Sequence, residues 1–433
     1  MKTFAEVIEY LYARLPMFTR DGATAINPGL EVVTQLCQAI GNPQNKIKTL
    51  HIAGTNGKGS SSHMLASVLG ASGYKTGLYT SPHLVDFRER IRVNGQMIPE
   101  QDVVDFVNEN LSLIEDLKPS FFEVTVAMAF NYFSKVAVDI AVIEVGLGGR
   151  LDSTNIITPE LSLITNIGMD HMNILGDTLE EIAAEKAGII KAGIPAIISE
   201  KQEDISHVFR NKAKEAHAEL IFAEDKYTTH QVEKRSEGLY ITVETKEDES
   251  SHIWFTDLAG SYQKKNIIGV LTAIDKLNQI GFTIGEEDIK KGLANVQSST
   301  GLMGRWQTLS LNPHVICDTG HNEDGIKVVL QNIATTNFNK LHFIMGAMRD
   351  KDLKHILPLL PKNATYYFAA PDMPRALPSN DLAELAHSYG LNGNPYNSIS
   401  NAFDSAIKAY QENDLIFVGG STFVVAELLT NHF

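Results

Sequence analysis

Cysteine is scarce: the 433 residues hold only Cys37 and Cys317, and neither has a CxxC neighbour. That argues against a disulfide framework and for a reducing, cytoplasmic setting. No run approaches the roughly 20 apolar residues a bilayer span needs, so a transmembrane helix is excluded. A signal-peptide core is missing as well. Met1–Phe18 sets Glu6, Glu9 and Arg14 among apolar residues, which is the pattern of an amphipathic helix. Fixed-period repeats and low-complexity tracts are absent. Positive charge is also in deficit, with a formal net charge of -15. A nucleic-acid partner needs a basic face, so neither nucleic acid nor a membrane surface is expected. Small anionic ligands stay open, because a few placed cations and backbone N–H groups suffice for them.

What is present is ordinary for a globular chain: 43% hydrophobic and 21% charged residues. The length predicts two domains. Short β-branched runs alternate with helical segments over the first half. Lys48–Ala53, Thr76–Thr80, Val138–Val145, Leu161–Ile167 and Ala196–Ile198 read as strands. Ser60–Ala71, Glu100–Asp116, Glu123–Lys135 and Thr178–Lys191 read as helices. Strands apolar on both faces and separated by helices predict an α/β fold with a mainly parallel sheet. From Ala223 to Asp257 polar alternation predicts a short antiparallel addition, with Ser236-Glu237-Gly238 as its turn. The helix Lys264–Gln279 follows, and Gln297–Gly301 reads as a polar loop. Placing the boundary there gives domains 1–299 and 300–433. The second repeats the alternation with strands at His314–Asp318, Leu341–Gly346, Thr365–Ala369 and Leu415–Val418, over about 130 residues.

The strongest local signal is Gly54-Thr55-Asn56-Gly57-Lys58-Gly59-Ser60, which follows a strand and opens a helix. Glycines let the backbone curl so that several N–H groups point at one anion. The helix N-terminus and Lys58 add positive charge. The common phosphate loop has Ser or Thr directly after the Lys; here Gly59 intervenes and Ser60 comes one place later, so this is not the loop of GTPases and transport ATPases. The plain alternative is a glycine-rich turn with a solvated lysine. Glu144 ends an apolar strand at its carboxyl end, where ligands sit in α/β sheets. Asp170-His171 stands at a similar strand end, and Ser81 follows the strand that ends at Thr80.

The variant loop and the stretches that follow it resemble the Mur ligase superfamily and, within it, the folylpolyglutamate synthase/dihydrofolate synthase family. The matching stretches run in family order: His51–Ser60, Thr80–His83, Phe121–Glu123, Glu144–Asp152, Thr165–His171, Glu185–Gly188, Gly304-Arg305 and Asp318–Asn322. The resemblance implies a P-loop ATPase domain followed by a Rossmann-like ligase domain, with the active site in the cleft between them. It implies an enzyme that phosphorylates a folate carboxylate with ATP and lets the L-glutamate amine displace phosphate. By the same resemblance Gly54–Ser60 hold the phosphates, and Ser81, Glu144 and His171 bind Mg²⁺, with two ions expected. Lys186 becomes carbamylated, turning a cation into an anion. Arg305 reaches the γ-phosphate; Asp318 and His321 meet the nucleotide, and Asn266 lies near adenine. Phe122 and Asp152 face the pterin in members with dihydrofolate synthase activity, which implies both activities here.

The sequence departs from the family pattern in places. Thr319, Gly320 and Glu323 replace three members of the usual Asp-Gly-Ala-His-Asn-Pro, and Tyr262 takes a usual histidine position. Read without the family, His171 is a loop histidine held by backbone, Lys186 a solvated helix cation and Phe122 a packing residue. Asp350-Lys351-Asp352 and Pro374-Arg375-Ala376 look like family loops and also like solvated surface; they stay outside the catalytic set. The expected partners are ATP, L-glutamate and a folate or dihydropteroate, on a monomer. Three competing readings remain. One is a peptidoglycan amino-acid ligase, which usually carries an extra N-terminal domain. The others are a P-loop switch or motor and a non-catalytic nucleotide binder.

Overall fold

The computed structural model describes residues 1–433 except Ile26, Pro28, Ser236, Asp350 and Asp352, and the backbone alone at Thr19 and Ala23. The chain forms two compact units. The first comprises Met1–His83, Phe87–Asp257 and Gln263–Leu302; the second comprises Leu84–Asp86, Leu258–Tyr262 and Met303–Phe433.

The first unit is built on an eight-stranded sheet in the order β4-β3-β2-β5-β1-β6-β7-β8. Its strands are β1 Thr49–Ala53, β2 Thr76–Tyr79, β3 Ile91–Val93, β4 Gln96–Met97, β5 Ile140–Glu144, β6 Leu161–Ile164, β7 Ala196–Ile198 and β8 Leu220–Phe222. All pairs from β2 to β8 are parallel, and β3 and β4 add an antiparallel edge. β1 and β5 are buried along their whole length, which is why they read as near-continuous apolar runs. From β1 the chain fills one flank through β2 and β5, then crosses to β6, β7 and β8 on the other. That reversal at β1 opens a crevice at the carboxyl ends of the strands, the place where doubly wound sheets take ligands.

The helix Lys58–Ala71 leaves β1 and is buried over most of its length, polar Ser60, Ser61, Ser62, His63 and Ser67 included. A second sheet of three antiparallel strands follows: β9 Tyr227–Arg235, β10 Gly238–Thr245 and β11 Ser251–Thr256. Of the turn expected at Ser236–Gly238, Ser236 lies outside the described residues. The second unit carries a six-stranded sheet in the order β12-β13-β17-β14-β15-β16. Here β12 is Gln307–Leu311, β13 His314–Cys317, β14 Leu341–Met345, β15 Thr365–Ala369, β16 Gly393–Tyr396 and β17 Leu415–Gly419. Only the β12 pairing is antiparallel. Among the described residues no helix is long and apolar enough to cross a membrane, and both cysteines are buried and unpaired.

Several boundaries shift for local reasons. Gln297–Gly301 is no loop: Val296–Thr300 is a short helix. Five residues are too few to show a period, and its first N–H groups are capped from afar. Val296 N donates to Asp257 Oδ1 at 3.1 Å and Gln297 N to Oδ2 at 2.8 Å. The run Glu100–Asp116 is two helices, Glu100–Glu109 and Leu111–Leu117, interrupted at Asn110. Thr178–Lys191 ends its helix at Ala187, just before Gly188. Phe121–Lys135 begins two residues earlier than its apolar period because Ser120 and Glu123 form a capping box.

Candidate active site

The glycine-rich loop Gly54–Ser60 sits at the carboxyl end of β1, and its backbone requires glycine at two points. Gly54 has φ 146°, and a Cβ there would lie 1.8 Å from Thr165 Oγ1. Gly57 has φ 85°, and its Cβ would meet Asn266 Oδ1 at 2.3 Å. Both are left-handed or mirror-β conformations that cost an L side chain heavily. The loop is laced to the segment after β6. Thr55 N donates to Asn166 O at 2.9 Å, Asn56 N to Asn166 Oδ1 at 2.9 Å, and Gly168 N to Thr55 Oγ1 at 2.9 Å.

Two lysines converge on this loop. Lys58, at the first turn of the helix, donates from Nζ to Gly54 O at 2.9 Å and to Thr55 O at 3.1 Å. It is half-buried rather than a solvated loop cation. Lys186 Nζ reaches the same Gly54 carbonyl at 3.0 Å with only 4% of the residue exposed. Burial, reinforced by the Lys58 charge, brings the Lys186 amine down to about 7. It is therefore no solvated helix cation.

Glu144 closes β5, next to β1, and is buried. Its Oε2 accepts from Ser81 N at 3.1 Å, so these two expected metal ligands are neighbours. His171 sits in the left-handed region at φ 51°, a conformation that costs a non-glycine residue on the order of 1 kcal/mol. Asp170 Oδ1 accepts its backbone N–H at 2.9 Å, and the ring stands edge-on to Phe18 at 5.6 Å. Among the described residues no three His, Cys, Asp or Glu side chains form a metal cage. A buried carboxylate beside a serine still fits Mg²⁺, which keeps few protein oxygens and shares substrate phosphates and waters.

Asp152 is held by the chain itself. Its Oδ2 accepts from Leu147 N at 2.8 Å and its Oδ1 from Thr154 N at 3.0 Å, capping the turn Ser153–Ile156. The Thr154 hydroxyl also donates to Oδ1, and so it accepts from His51 Nε2 at 2.8 Å. Burial lowers the His51 imidazole to about 3, which keeps it neutral in this relay, and raises the Asp152 carboxyl. The Phe122 ring is half-buried against the loop after Glu144: a Cβ on Gly146 would lie 2.4 Å from its Cζ.

Asn266 belongs to the helix Gln263–Gln279, which the first unit lays against the phosphate loop. Its Nδ2 donates to Gln263 Oε1 at 2.7 Å, and Gln263 Nε2 donates to Ser60 Oγ at 3.2 Å. Asn166 and Gln263 thus organise the loop without having been singled out by sequence. Asn166 lay inside a matched stretch, but nothing in composition or period marks its role.

In the second unit Asp318, at the end of β13, is 3% exposed and has three donors. Trp306 N reaches Oδ2 at 2.7 Å, Gly320 N reaches Oδ1 at 2.7 Å, and Tyr262 OH reaches Oδ2 at 2.8 Å. Tyr262, a departure from the family pattern, therefore has a defined partner. Burial raises the Asp318 carboxyl, with Arg305 opposing. Arg305 is half-buried and donates from Nη1 to the Thr319 hydroxyl and to Gly304 O. His321 Nδ1 donates to Thr319 O at 3.0 Å, and Asn322 Oδ1 caps the helix Glu323–Ala334 by accepting from Gly325 N at 2.8 Å. Asp350 and Asp352 lie outside the described residues. Arg375 O accepts from Arg349 N at 3.0 Å.

Comparisons with known proteins agree along nearly the whole chain. Residues 52–274 match the Mur ligase middle domain, and residues 304–422 match the Mur ligase glutamate ligase domain. The dihydrofolate synthase/folylpolyglutamate synthase of Bacillus subtilis (strain 168) is 34% identical over 417 residues, covering 93% of this chain and 94% of the relative. The protein of the same description from Escherichia coli (strain K12) is 32% identical over 412 residues, covering 93% and 91%. Among solved structures, E. coli FolC in complex with DHPP and ADP superposes with a TM-score of 0.84 at 28% identity, covering 99% of this chain and 97% of that one. The Mycobacterium tuberculosis folylpolyglutamate synthase complexed with ADP reaches 0.88 at 27% identity, covering 99% and 98%.

Proposed function

We infer that this chain, which belongs to the folylpolyglutamate synthase/dihydrofolate synthase family of Mur ligases, is an ATP-dependent ligase that joins L-glutamate to folates. The observation that carries the reading is the cradle at β1. A glycine-built loop opens a buried helix, Lys58 stands in its first turn, and Glu144 ends the adjacent strand.

Amide formation from a carboxylate requires an activated acyl group. The acceptor carboxylate oxygen attacks the ATP γ-phosphorus and ADP leaves. The glutamate amine then attacks the acyl carbon, its proton is lost, and phosphate departs with one former carboxylate oxygen. Phosphoryl transfer asks the protein for positioning and charge neutralisation more than for covalent work. The N–H groups of Gly54–Ser60 and the Lys58 ammonium bind the phosphates, Lys58 exchanging its carbonyl partners for phosphate oxygens. Ser81, Glu144 and His171 would hold Mg²⁺, two ions in all, whose charge is shared with the nucleotide oxygens. Arg305 takes the γ-phosphate with its planar fork, and Asp318 and His321 meet the nucleotide, with Asn266 near adenine. Phe122 offers its face to the pterin, and Asp152 its remaining acceptor capacity to the aminopyrimidine edge. On this reading domain 1–299 binds ATP and domain 300–433 is the ligase domain.

A neutral Lys186 amine is a nucleophile for carbon dioxide. Attack forms a carbamate and releases a proton, giving an anion where the cation stood. The amine's low basicity supports this modification. Dihydropteroate and reduced folates are both proposed acceptors. A monomer in the cytoplasm is the proposed setting, to be checked by light scattering and fractionation.

The test is phosphate release from Mg-ATP with L-glutamate and dihydropteroate, tetrahydrofolate or no acceptor. Release that needs both acceptor and glutamate is expected. Release indifferent to both would replace the reading with a P-loop ATPase of another role. Release that needs only a different acceptor would indicate another Mur-type amino-acid ligase.

A further inference from the structure

Arg90 is a buried cation that the mechanism does not use. Arg90 ends the turn Phe87–Arg90 ahead of β3, and its carbonyl accepts from Thr80 N at 3.1 Å. That bond fixes it beside the exit of β2, one residue from Ser81. Only 5% of the residue is exposed. Its Nε donates to His83 Nδ1 at 2.8 Å, and its guanidinium lies 5.2 Å from the centroid of the Phe121 ring. Among the described residues it has no carboxylate partner.

His83 cannot neutralise this charge. Because its Nδ1 accepts from Arg90, its proton is on Nε2, which donates to Tyr12 OH at 3.1 Å. The imidazole accepts from the guanidinium and orients it. With Nε engaged, the two terminal nitrogens remain as the donor pair. Beside them the Tyr79 hydroxyl is buried with Arg90 and Thr125 as polar neighbours, and among the described residues none is within hydrogen-bond geometry of it. The wall around these groups is aromatic: Phe87 and Phe121 are buried, and half-buried Phe122 lies 6.2 Å from the Tyr79 ring. An unpaired buried cation costs about 3–5 kcal/mol, and water can satisfy its N–H groups but not its charge. Two donors, one of them cationic, next to the proposed folate-facing Phe122 call for an anion.

We propose that Arg90, assisted by the Tyr79 hydroxyl, binds a carboxylate group of a substrate. This deepens the ligase reading and rests on it. A carboxylate fits because a planar fork takes two coplanar oxygens. The phosphates already have their own cradle at Gly54–Ser60. The carboxylate comes from one of two molecules, the incoming L-glutamate or the folate acceptor. Tetrahydrofolate carries a carboxylate that does not react, whereas dihydropteroate has only the reacting one.

Arg90→Met and Arg90→Lys are compared with the wild type by steady-state phosphate release at saturating ATP. The KM of the substrate that Arg90 holds rises about tenfold or more in the methionine variant and less in the lysine variant. A rise for L-glutamate with either acceptor assigns the site to glutamate. A rise for tetrahydrofolate alone assigns it to the non-reacting carboxylate, and a rise for both acceptors assigns it to the reacting one. Unchanged KM values for all three substrates, with only a lower melting temperature, overturn the proposal and leave Arg90 a packing residue. If the methionine variant does not fold, the lysine variant decides by the same criterion. The wild-type control tests the ligase reading separately. If it shows no glutamate-dependent release, that reading fails, and the carboxylate site is judged by melting temperature in glutarate. Stabilisation of the wild type but not of Arg90→Lys supports the site; equal shifts overturn it.

Discussion

Lys58 and Lys186 share one acceptor: the carbonyl oxygen of Gly54 receives a hydrogen bond from Lys58 Nζ at 2.9 Å and another from Lys186 Nζ at 3.0 Å. Two ammonium groups at one oxygen repel each other, and the more buried of the two yields. Burial first, and the Lys58 charge second, bring the Lys186 amine down to about 7.

Lys58→Ala removes both the proposed phosphate contact and this repulsion. Ligation falls by about 10²–10³-fold or more, the scale of losing one charge-stabilising donor. The half-buried side chain and its two carbonyl contacts add a stability cost of about 1 kcal/mol. Turnover near the wild-type value would contradict the assignment of the loop. Urea unfolding measures the second quantity.

The Lys186 amine gives a pH signature in bicarbonate-free buffer. Its folded value of about 7 lies below the ordinary 10.5, so the unfolded chain binds more protons between those two values. Stability therefore rises with pH across that window and is flat below it. In Lys58→Ala the Lys186 value moves up and the window narrows from its lower end. Urea titrations at several pH values check this. Added bicarbonate should give an intact mass larger by one carbon dioxide, lost in Lys186→Arg.

Gly54→Ala forces a Cβ to within 1.8 Å of Thr165 Oγ1 on a backbone with φ 146°. The loop shifts or Thr165 moves, at about 2–4 kcal/mol of stability. Nucleotide affinity drops with it, as titration calorimetry with ATP would show. A variant as stable and as tight as the wild type would contradict the loop geometry.

Tyr262→Phe leaves Asp318 with its two backbone donors and removes the third, at about 1–3 kcal/mol. The Tyr262 hydroxyl holds the Asp318 carboxyl down against burial, so the variant raises that carboxyl further. For a carboxyl raised above its unfolded value, stability falls as pH rises from about 3.8 to the folded value. The variant extends that fall to higher pH. Unfolding curves from acid to neutral pH show it, and superimposable profiles would contradict it.

The parallel sheet was legible in sequence because β1, β5 and β14 are buried on both faces and read as apolar runs. The glycine-rich loop was legible because its glycines and lysine crowd into seven consecutive residues. Less local features were not. The helix Val296–Thr300 depends on a carboxylate at Asp257, and the loop's shape depends on Asn166 and Gln263. Such contacts join residues far apart in the chain and leave no period to detect. Asp152 illustrates the same limit. Sequence offered it as a ligand for substrate but gave no sign that each of its oxygens also takes a donor from its own chain. Tyr262 looked like a defect in a motif until the hydroxyl was found on Asp318.

In the proposed reaction the acceptor carboxylate takes the γ-phosphoryl group before glutamate attacks. Dihydropteroate or tetrahydrofolate labelled with ¹⁸O in its reacting carboxylate, turned over with ATP and L-glutamate, tests it directly by mass spectrometry of the products. One labelled oxygen is expected in inorganic phosphate for each amide formed. Amide formation with unlabelled phosphate, or label in AMP, would contradict it.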